Sequence, residues 1–276
     1  MKSMLNALKT IEQYKTDSPH YSELLDILAE LLILRENYHK TSDKTVFQVD
    51  EHLIPQKMAG GLPLIDFISG KFDFTLPRNY FLQLLEIAGK RSPEKTQEMV
   101  AQLQSGVLDF EKMVRHTFDP FSEEEYLEEK DDDFLDLVEL FLEESLRPEL
   151  EKIAGQYGEK ISKLGWSEGY CPICGKEPKI GEIKADDGRR YLFCNQCGFE
   201  WHYRRVKCPF CGNEEQHALA YFTIEGDERY RVDVCNVCKR YIKMVDLRNS
   251  ERETNLDVED IATLHLDMLA YEEGYS

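Results

Sequence analysis

Cysteine is the residue type in this sequence whose spacing predicts chemistry most directly. The chain contains eight cysteines, which form four C-x-x-C pairs: Cys171/Cys174, Cys194/Cys197, Cys208/Cys211 and Cys235/Cys238. Two intervening residues allow one tight turn to direct both sulfurs at the same ion, so four pairs supply two tetrahedral four-thiolate sites. Such a site suits zinc and a single iron ion alike. We therefore expect two metal ions, Zn²⁺ or Fe²⁺/Fe³⁺, one in each four-cysteine site.

The cysteine region is an internal duplication. Each copy begins with Cys-Pro-x-Cys-Gly, continues through a hairpin and closes with a second C-x-x-C pair. We predict hairpin strands near residues 179–184 and 189–193 in the first copy, and near 219–224 and 229–233 in the second. The inner cysteines are separated by 19 and 23 intervening residues, which is close to zinc-ribbon spacing. Each copy is too small to hold a hydrophobic core alone, so metal binding should supply much of its folding free energy.

Two pairings of the four turns are open. In the sequential pairing, each hairpin brings its own flanking turns together and each copy binds its own ion. In the interleaved pairing, Cys171/Cys174 would join Cys208/Cys211, which requires a crossed chain path that the duplicated hairpins do not need. We prefer the sequential pairing.

The residues beside the cysteines also have expected roles. Glycine follows the second cysteine in three of the turns, where a left-handed backbone lets amides approach the sulfurs. Lys239 occupies that position in the fourth turn. Because a non-glycine residue in this conformation costs on the order of 1 kcal/mol, that turn should be strained or differently shaped. Four thiolates on a divalent ion leave two net negative charges, which Arg190, Lys207 and Lys239 are placed to offset.

The charge distribution argues against nucleic acid as a partner. The formal net charge of the 276-residue chain is −19. Residues 1–165 carry 19 Lys+Arg against 32 Asp+Glu, residues 166–250 carry 14 against 13, and residues 251–276 carry 1 against 8. A protein that binds long nucleic acid normally presents a basic face, and here the only strong basic run is Arg204, Arg205 and Lys207.

Residues 1–165 are predicted to form a helical domain. Ser18-Pro19 and Ser92-Pro93 have the pattern of a helix N-cap followed by a first-turn proline, and apolar stripes at helical spacing follow both. Asp119-Pro120 should end one element, the run 122–133 is strongly acidic, and a last helix is expected from Pro148 to about Leu164.

From Trp166 the segments become short, aromatic and β-branched. We predict an α+β protein: an all-helical N-terminal domain (1–165), two tandem rubredoxin-like or zinc-ribbon units (166–206 and 207–250) and a C-terminal helix (251–276) capped by Asn255 or Asp257.

No catalytic constellation accompanies the cysteines. The sequence has no GxSxG, P-loop, strand-linked GxGxxG or HExxH motif. Alternation in residues 200–207 predicts a strand with Trp201 and Tyr203 on one face and His202 and Arg204 on the other. His202 could be a surplus ligand or proton carrier, but a structural or surface histidine is the preferred interpretation. We expect a non-enzymatic protein.

The N-terminus lacks a signal-peptide pattern, and no apolar run is long enough to span a bilayer. We therefore expect a cytoplasmic protein without membrane insertion. In a reducing cytosol, paired thiols are interpreted as metal ligands or redox groups rather than as disulfides.

The cysteine region resembles the formate dehydrogenase accessory protein family, FdhE. The match lies in Tyr170 to Gly175, in Gly188 to Cys194, in Cys197 with Glu200-Trp201-His202, in Arg205 to Cys208, in Cys235 to Cys238 with Tyr241-Ile242-Lys243, and in the tail from Val258 to Ala262 and Tyr271 to Tyr275. The resemblance is strong over about residues 155–276. It implies a cytoplasmic, non-enzymatic helper that contacts the catalytic subunit of respiratory formate dehydrogenase before export. It also implies rubredoxin-like sites for which iron is a serious candidate.

Two other function classes remain open. The first is electron transfer, in which one or both sites hold redox-active iron in Cys-Pro-x-Cys-Gly turns. The second is a zinc-ribbon protein that binds nucleic acid, which the charge distribution disfavours.

Overall fold

The computed structural model describes residues 2–41, 45–68, 70–118, 133–224, 226–248 and 254–276. The chain divides into two compact units. The cysteine-bearing unit comprises Met1–Ala29, Asp50–Leu64 and Ala154–Ser276, and the helical unit comprises Glu30–Val49 and Ile65–Ile153.

Helices dominate the chain before residue 163. They are α1 (Lys2–Asp17), α2 (Ser22–His39), α3 (Ile54–Ala59), α4 (Thr75–Gly89), α5 (Pro93–Ser105), α6 (Phe110–Phe118) and α7 (Asp133–Ser162). Two more helices, α8 (Leu256–Ala262) and α9 (Leu264–Glu272), follow the cysteine region. The predicted α+β class, with a helical segment at each end of the chain, is confirmed. No helix within the described ranges combines the length and apolar character needed to cross a bilayer.

Most helix starts agree with the sequence signals. Ser92 is the N-cap of α5 with Pro93 in the first turn, whereas Ser18-Pro19 opens a short 3₁₀ turn, residues 19–21, that leads into α2. Asn255 caps α8, because its side-chain oxygen accepts a hydrogen bond of 3.2 Å from the Val258 N–H. The predicted break at Asp119-Pro120 and most of the acidic run 122–133 lie outside the described residues.

The expectation of a new helix at Pro148 is wrong, because Pro148 lies inside the single helix α7. An internal proline removes one backbone hydrogen bond and disfavours a helix by about 3 kcal/mol. Residues 144–150 of α7 are all buried, so tertiary packing outweighs this local cost.

The helical unit has an apolar core with a charged network inside it. Tyr80, Phe81 and Leu84 of α4 and Phe141 and Leu146 of α7 are among its fully buried side chains.

The charged network centres on two buried arginines. Arg35 donates two hydrogen bonds to Glu144, at 2.8 and 2.7 Å. Glu151 contacts Arg35, His39 and Arg147. Burial alone would raise the pKa of Glu151, but these three groups outweigh it and lower the pKa to about 2. The network is satisfied by ion pairing, which is the arrangement that buried charges require.

Six strands form one mixed sheet in the cysteine-bearing unit. They are β1 (Ile180–Ile183), β2 (Arg190–Phe193), β3 (Glu200–His202), β4 (Leu219–Ile224), β5 (Asp227–Cys235) and β6 (Tyr241–Asp246). The order across the sheet is β3-β2-β1-β6-β5-β4. Both predicted hairpins are present, as β1–β2 and β4–β5.

Each half of the duplication contributes a three-stranded antiparallel meander to the sheet. The two meanders join through the parallel pair β1–β6, in which Ile180 lies opposite Lys243 and Ile183 opposite Asp246. The two ribbons therefore share one continuous sheet.

One face of this sheet is covered by the C-terminal helices. Ile180, Phe193 and Val232 from the strands pack in a buried cluster with Leu256 of α8 and Leu266 of α9. The sheet and helices are also linked by buried polar groups, because Tyr14 of α1 and Tyr230 of β5 both donate to the carboxylate of Glu259, at 2.6 and 2.5 Å. The terminal segments therefore support the sheet that carries the cysteines.

Candidate metal centres

The four C-x-x-C turns have the same backbone geometry. In each turn the N–H of the residue four positions after the first cysteine donates to that cysteine's carbonyl, at 2.8 to 3.1 Å. The N–H of the same cysteine donates to the carbonyl five positions later, at 2.8 to 3.0 Å. The residue that follows each second cysteine has a left-handed φ, and these residues are Gly175 (+79°), Gly198 (+69°), Gly212 (+72°) and Lys239 (+59°).

Lys239 therefore occupies the same conformation as the three glycines. The turn at Lys239 keeps the shape of the other three turns. Of the two expectations, the strained left-handed residue is therefore the one observed. Lys239 is the only non-glycine residue with positive φ in the described part of the chain.

The turns bring the sulfurs together as two clusters. The first site consists of Cys171, Cys174, Cys194 and Cys197, and the second site consists of Cys208, Cys211, Cys235 and Cys238. Within each site all four sulfurs lie within 4.8 Å of one another. This grouping is the sequential pairing, and the interleaved alternative is excluded.

The spacing of the sulfurs fits a tetrahedral ion. Metal–sulfur bonds of about 2.3 Å place tetrahedral ligands about 3.8 Å apart. The closest sulfur pairs are Cys171–Cys197 and Cys174–Cys194 at 3.4 Å, Cys208–Cys238 at 3.6 Å and Cys211–Cys235 at 3.7 Å. A disulfide would require about 2.05 Å, and all eight cysteines are free. Each cluster could hold one metal ion.

Burial has the largest influence on the thiols of the first site. It raises the pKa of Cys171, Cys174 and Cys197 above the ordinary value. Burial acts in the same direction on Cys194, but hydrogen bonds from the other three cysteines outweigh it and lower the pKa of Cys194 well below the ordinary value. A bound cation would displace the remaining protons, because metal ligation requires thiolates.

The first site is sealed from solvent by a segment distant in sequence. The covering loop, Gly61–Leu64, lies against the first turn: Leu64 N–H donates to Pro172 O at 2.8 Å, and Tyr170 OH donates to Gly61 O at 2.6 Å. A Cβ added at Gly175 would lie 3.0 Å from Pro63. All four cysteines of this site are accordingly buried, with 5% exposure or less.

The second site is more open. Cys211 is exposed and Cys238 is half-buried, whereas Cys208 and Cys235 are buried. Burial raises the pKa of Cys208 and Cys238, while for Cys235 backbone and cysteine hydrogen bonds outweigh burial and lower the pKa.

Arg240 covers part of the second site. Its guanidinium carbon lies 3.7 Å from the ring centroid of Phe210, and it forms a bidentate pair with Glu177 at 2.9 and 2.6 Å. The hydrogen bond to Glu177 is the main cause of the raised pKa of Arg240, and Cys238 and Cys208 contribute to it. Arg240 is thus the cation associated with this site, and the sequence analysis missed it although it follows Cys238 by two positions.

The cations expected to offset the thiolates contact other groups. Lys207 Nζ donates to Ser167 O at 3.3 Å, and Lys239 Nζ donates to Asn236 Oδ1 at 3.1 Å. Arg190 donates to the carbonyls of Arg204 and Lys207.

The strand predicted from alternation in residues 200–207 is present only as β3, Glu200–His202, and Tyr203 and Arg204 follow it. The predicted alternation of burial continues through residues 201–204. Trp201 and Tyr203 are buried, whereas His202 and Arg204 are exposed. His202 joins neither cysteine cluster.

The two ribbons touch directly beside the sites. A Cβ added at Gly169 would lie 1.7 Å from the carbonyl oxygen of Pro209, so this approach requires glycine. Gly169 lies two residues before the first cysteine of the first site, and Pro209 follows the first cysteine of the second.

Two family models match adjacent parts of the chain. The model described as "FdhE, central domain" matches residues 170–205, and the model described as "FdhE, C-terminal domain" matches residues 206–276.

Similar proteins extend the match. The Protein FdhE homolog of Aquifex aeolicus is 29% identical over 98% of this chain and 91% of its own length. The Protein FdhE homolog of Pseudomonas aeruginosa is 38% identical over 40% of this chain and 37% of its own length. The Protein FdhE of Escherichia coli O1:K1 is 33% identical over 43% of this chain and 38% of its own length.

The fold has a solved counterpart. The crystal structure of the FdhE protein from Pseudomonas aeruginosa matches with a TM-score of 0.69 at 23% identity, covering 99% of this chain and 92% of that chain. Residues 170–276 thus match both FdhE domain models, and the chain is similar to an FdhE homolog over nearly its whole length.

Proposed function

We propose that this chain is a cytoplasmic, non-enzymatic accessory protein that binds the catalytic subunit of respiratory formate dehydrogenase during its maturation. The cysteine-bearing unit supplies the binding scaffold, and each ribbon, 166–206 and 207–250, holds one metal ion through its four cysteines. Similarity to FdhE proteins supports the client, and the proposal assigns no role to nucleic acid.

One observation supports the scaffold part of the proposal. Each of the two four-sulfur clusters is formed by turns that flank the strands of one half of a single six-stranded sheet. Short strands such as β1 and β3, with four and three residues, are marginal without further support. A bound zinc or iron ion would hold the four thiolates of each ribbon together, and iron would add a one-electron redox couple. Metal-held turns would add to the support that α8 and α9 give this sheet, and client binding should depend on the cysteines.

Co-purification from the native host tests this function. The tagged catalytic subunit should retain the wild-type chain, and elemental analysis of the complex should find two metal ions per chain. The Cys171→Ser variant should lose one ion and bind the client more weakly, while its helical circular dichroism signal persists. Failure of the wild-type chain to associate with the expressed catalytic subunit at any stage would remove the proposed function.

Electron transfer is a second candidate because the second site is accessible. The exposed Cys211 and half-buried Cys238 leave a short path from solvent to a bound ion, which electron transfer requires. If this function is correct, the iron-loaded protein should show reversible absorbance changes on adding dithionite. Zinc-loaded protein should then fail to support formate dehydrogenase maturation, whereas full support by the zinc form would exclude an electron-transfer role.

A further inference from the structure

A cleft beside the second site carries an excess of positive charge that the metal site does not use. It has a volume of about 440 Å³ and lies on the sheet face that bears Arg231 and Asp233 of β5. Five basic side chains line it against a single carboxylate, that of Asp233. This local excess contrasts with the net charge of −19 of the whole chain.

The single carboxylate is already shared by two arginines. Arg231 donates to Asp233 at 3.1 Å, and Arg190 Nη1 lies 3.5 Å from the same carboxylate. Arg190 is 2% exposed, and its Nε has no hydrogen-bond partner in the described structure. A buried guanidinium donor without a partner is costly. The inner end of the cleft thus keeps an unpartnered donor, Arg190 Nε, although Asp233 Oδ1, 2.9 Å from Arg231 Nε, also accepts no hydrogen bond there.

The outer cations are short of acceptors as well. Arg240 is neutralised by Glu177. Lys207 donates only to a backbone carbonyl and lies near the ring of Tyr203. Arg205 is exposed, and within the described residues it has neither an ion pair nor a hydrogen bond. Arg190, Arg205, Lys207 and Arg231 therefore face one carboxylate. Cys208 and Cys235 of the second site also line the cleft, and the two net negative charges of a metal-loaded site would offset part, but not all, of the excess of three positive charges.

The rest of the lining suits a peptide. Apolar side chains lie between the cations, and they include Val206, which is 50% exposed, and Phe210. Part of the cleft wall is β4, the edge strand of the sheet, and no described strand pairs with its outer side. An open strand edge offers backbone donors and acceptors to an extended chain. A small free anion would use neither the strand edge nor the apolar side chains.

We infer that this cleft binds an extended acidic peptide segment of the client, with one or more carboxylates seated among Arg190, Arg205, Lys207 and Arg231. The inference rests on the proposed client binding and names the chemistry of the recognised segment. Charge complementarity supplies the specificity, since neutral or basic segments would leave the cations unpaired.

A labelled peptide tests the cleft independently of the client. The probe is a short fluorescent peptide that alternates glutamate with threonine, titrated into the metal-loaded full-length chain at low salt. It should bind saturably, and the same peptide with glutamine in place of glutamate should bind at least about tenfold more weakly, because each ion pair with a guanidinium becomes a hydrogen bond to a neutral amide. Equal binding of the two peptides would overturn the inference.

Two neighbouring arginines provide a matched pair of variants. Arg205→Gln removes a charge that lines the cleft and should weaken the glutamate peptide about tenfold. Arg204→Gln makes the same change in net charge one residue away, but the Arg204 side chain pairs with Glu214 and does not line the cleft. It should change affinity less than about twofold. Both side chains are exposed, so both variants should fold. Equal losses of affinity in the two variants would mean that the peptide responds to the net charge of the protein and not to a specific contact with Arg205, which would overturn the inference.

Competitors separate the peptide from other anions. If free glutarate displaces the peptide at a similar molar concentration, the cleft is a small-anion site and the peptide inference fails. If a single-stranded oligonucleotide binds more tightly than the peptide, the partner is nucleic acid and the inference also fails. Expected instead is displacement by unlabelled acidic peptide and poor competition by both.

Co-purification with the client separates the proposed client binding from the proposed role of the cleft in it. Arg205→Gln should reduce co-purification of the catalytic subunit, whereas Arg204→Gln should not. If the client binds both variants equally, the inference that the cleft binds the client is wrong and the proposed function stands. If the wild-type chain binds the acidic peptide but never the client, the cleft stands as an acidic-peptide site and its assignment to this client fails with the proposed function.

Discussion

The two four-cysteine sites have the same backbone conformation and different surroundings. The left-handed residue and the paired backbone hydrogen bonds recur in all four turns. Yet the first site is closed by the covering loop Gly61–Leu64, whereas the second has an exposed Cys211 and adjoins the cationic cleft. A duplicated ligand set thus provides one protected centre and one accessible centre. The difference comes from what packs on the turns, because the turns themselves are equivalent.

Removing one ligand from each centre should give the largest contrast. Cys194→Ser should release the first-site ion and destabilise the cysteine-bearing unit strongly, because structural zinc binding is worth on the order of 10 kcal/mol in small domains. Cys211→Ser should weaken the second site less, because water can reach the vacated position. Elemental analysis and chemical unfolding measure both. Equal loss of stability in the two variants would contradict the difference between the centres.

A chelator should remove the two ions in order. Release from the second site should be at least about tenfold faster, since release from the first site requires opening of the covering loop. A metal-sensitive dye should record two phases in the wild-type chain. The Cys171→Ser variant should keep only the fast phase and Cys235→Ser only the slow one. A single common rate in all three proteins would show that the covering loop offers no protection.

Substitution at the contact between the ribbons tests how far the centres depend on each other. Gly169→Ala should destabilise the cysteine-bearing unit by about 1–3 kcal/mol, because its Cβ would collide with the Pro209 carbonyl. Gly155→Ala in α7 is the control, since nothing lies within 4 Å of its added Cβ, and it should stabilise by about 0.5–1 kcal/mol. Urea unfolding gives both values. An unchanged free energy for Gly169→Ala would mean that the ribbons move apart at little cost.

Exchanging the left-handed residues should have the smallest effect. Gly198→Lys puts a side chain at φ +69° and should cost about 1 kcal/mol. Lys239→Gly relieves the same strain, but it loses the bond to Asn236 and gains freedom in the unfolded chain. Its net change should therefore stay within about 0.5 kcal/mol of zero. Thermal unfolding of the metal-loaded variants measures this asymmetry, and a clear stabilisation by Gly198→Lys would be the contrary result.

Local features of the cysteine region could be predicted from sequence, whereas long-range ones could not. The four turns and two hairpins depend on residues close together in sequence, such as the two Cys-Pro-x-Cys-Gly segments and the strand-forming residues between the cysteine pairs. The parallel pair β1–β6 joins Ile180 to Lys243, and no local pattern encodes that register. The expectation at Pro148 was wrong for a related reason, because burial of residues 144–150 outweighs a local propensity.

The candidate sites show the same division. The sequential grouping of the eight sulfurs was the preferred one of two pairings, because the duplicated hairpins favour it. The covering loop, in contrast, lies 109 positions from its partner Tyr170 and gave no signal. The cationic cleft was only partly visible in the sequence. Arg205 and Lys207 stood out as a basic run, whereas Arg231 and Asp233 belong to a strand that merely alternates.

The covering loop also bears on the order of events during synthesis. Gly61–Leu64 leaves the ribosome well before Cys171, so it must wait for the first ribbon to emerge and fold. Until it docks, that ribbon can exchange whatever ion it has captured. Afterwards exchange requires the loop to detach, so the first centre would retain the ion that was available when the chain was made. The more accessible centre would continue to equilibrate with the cell's free metal.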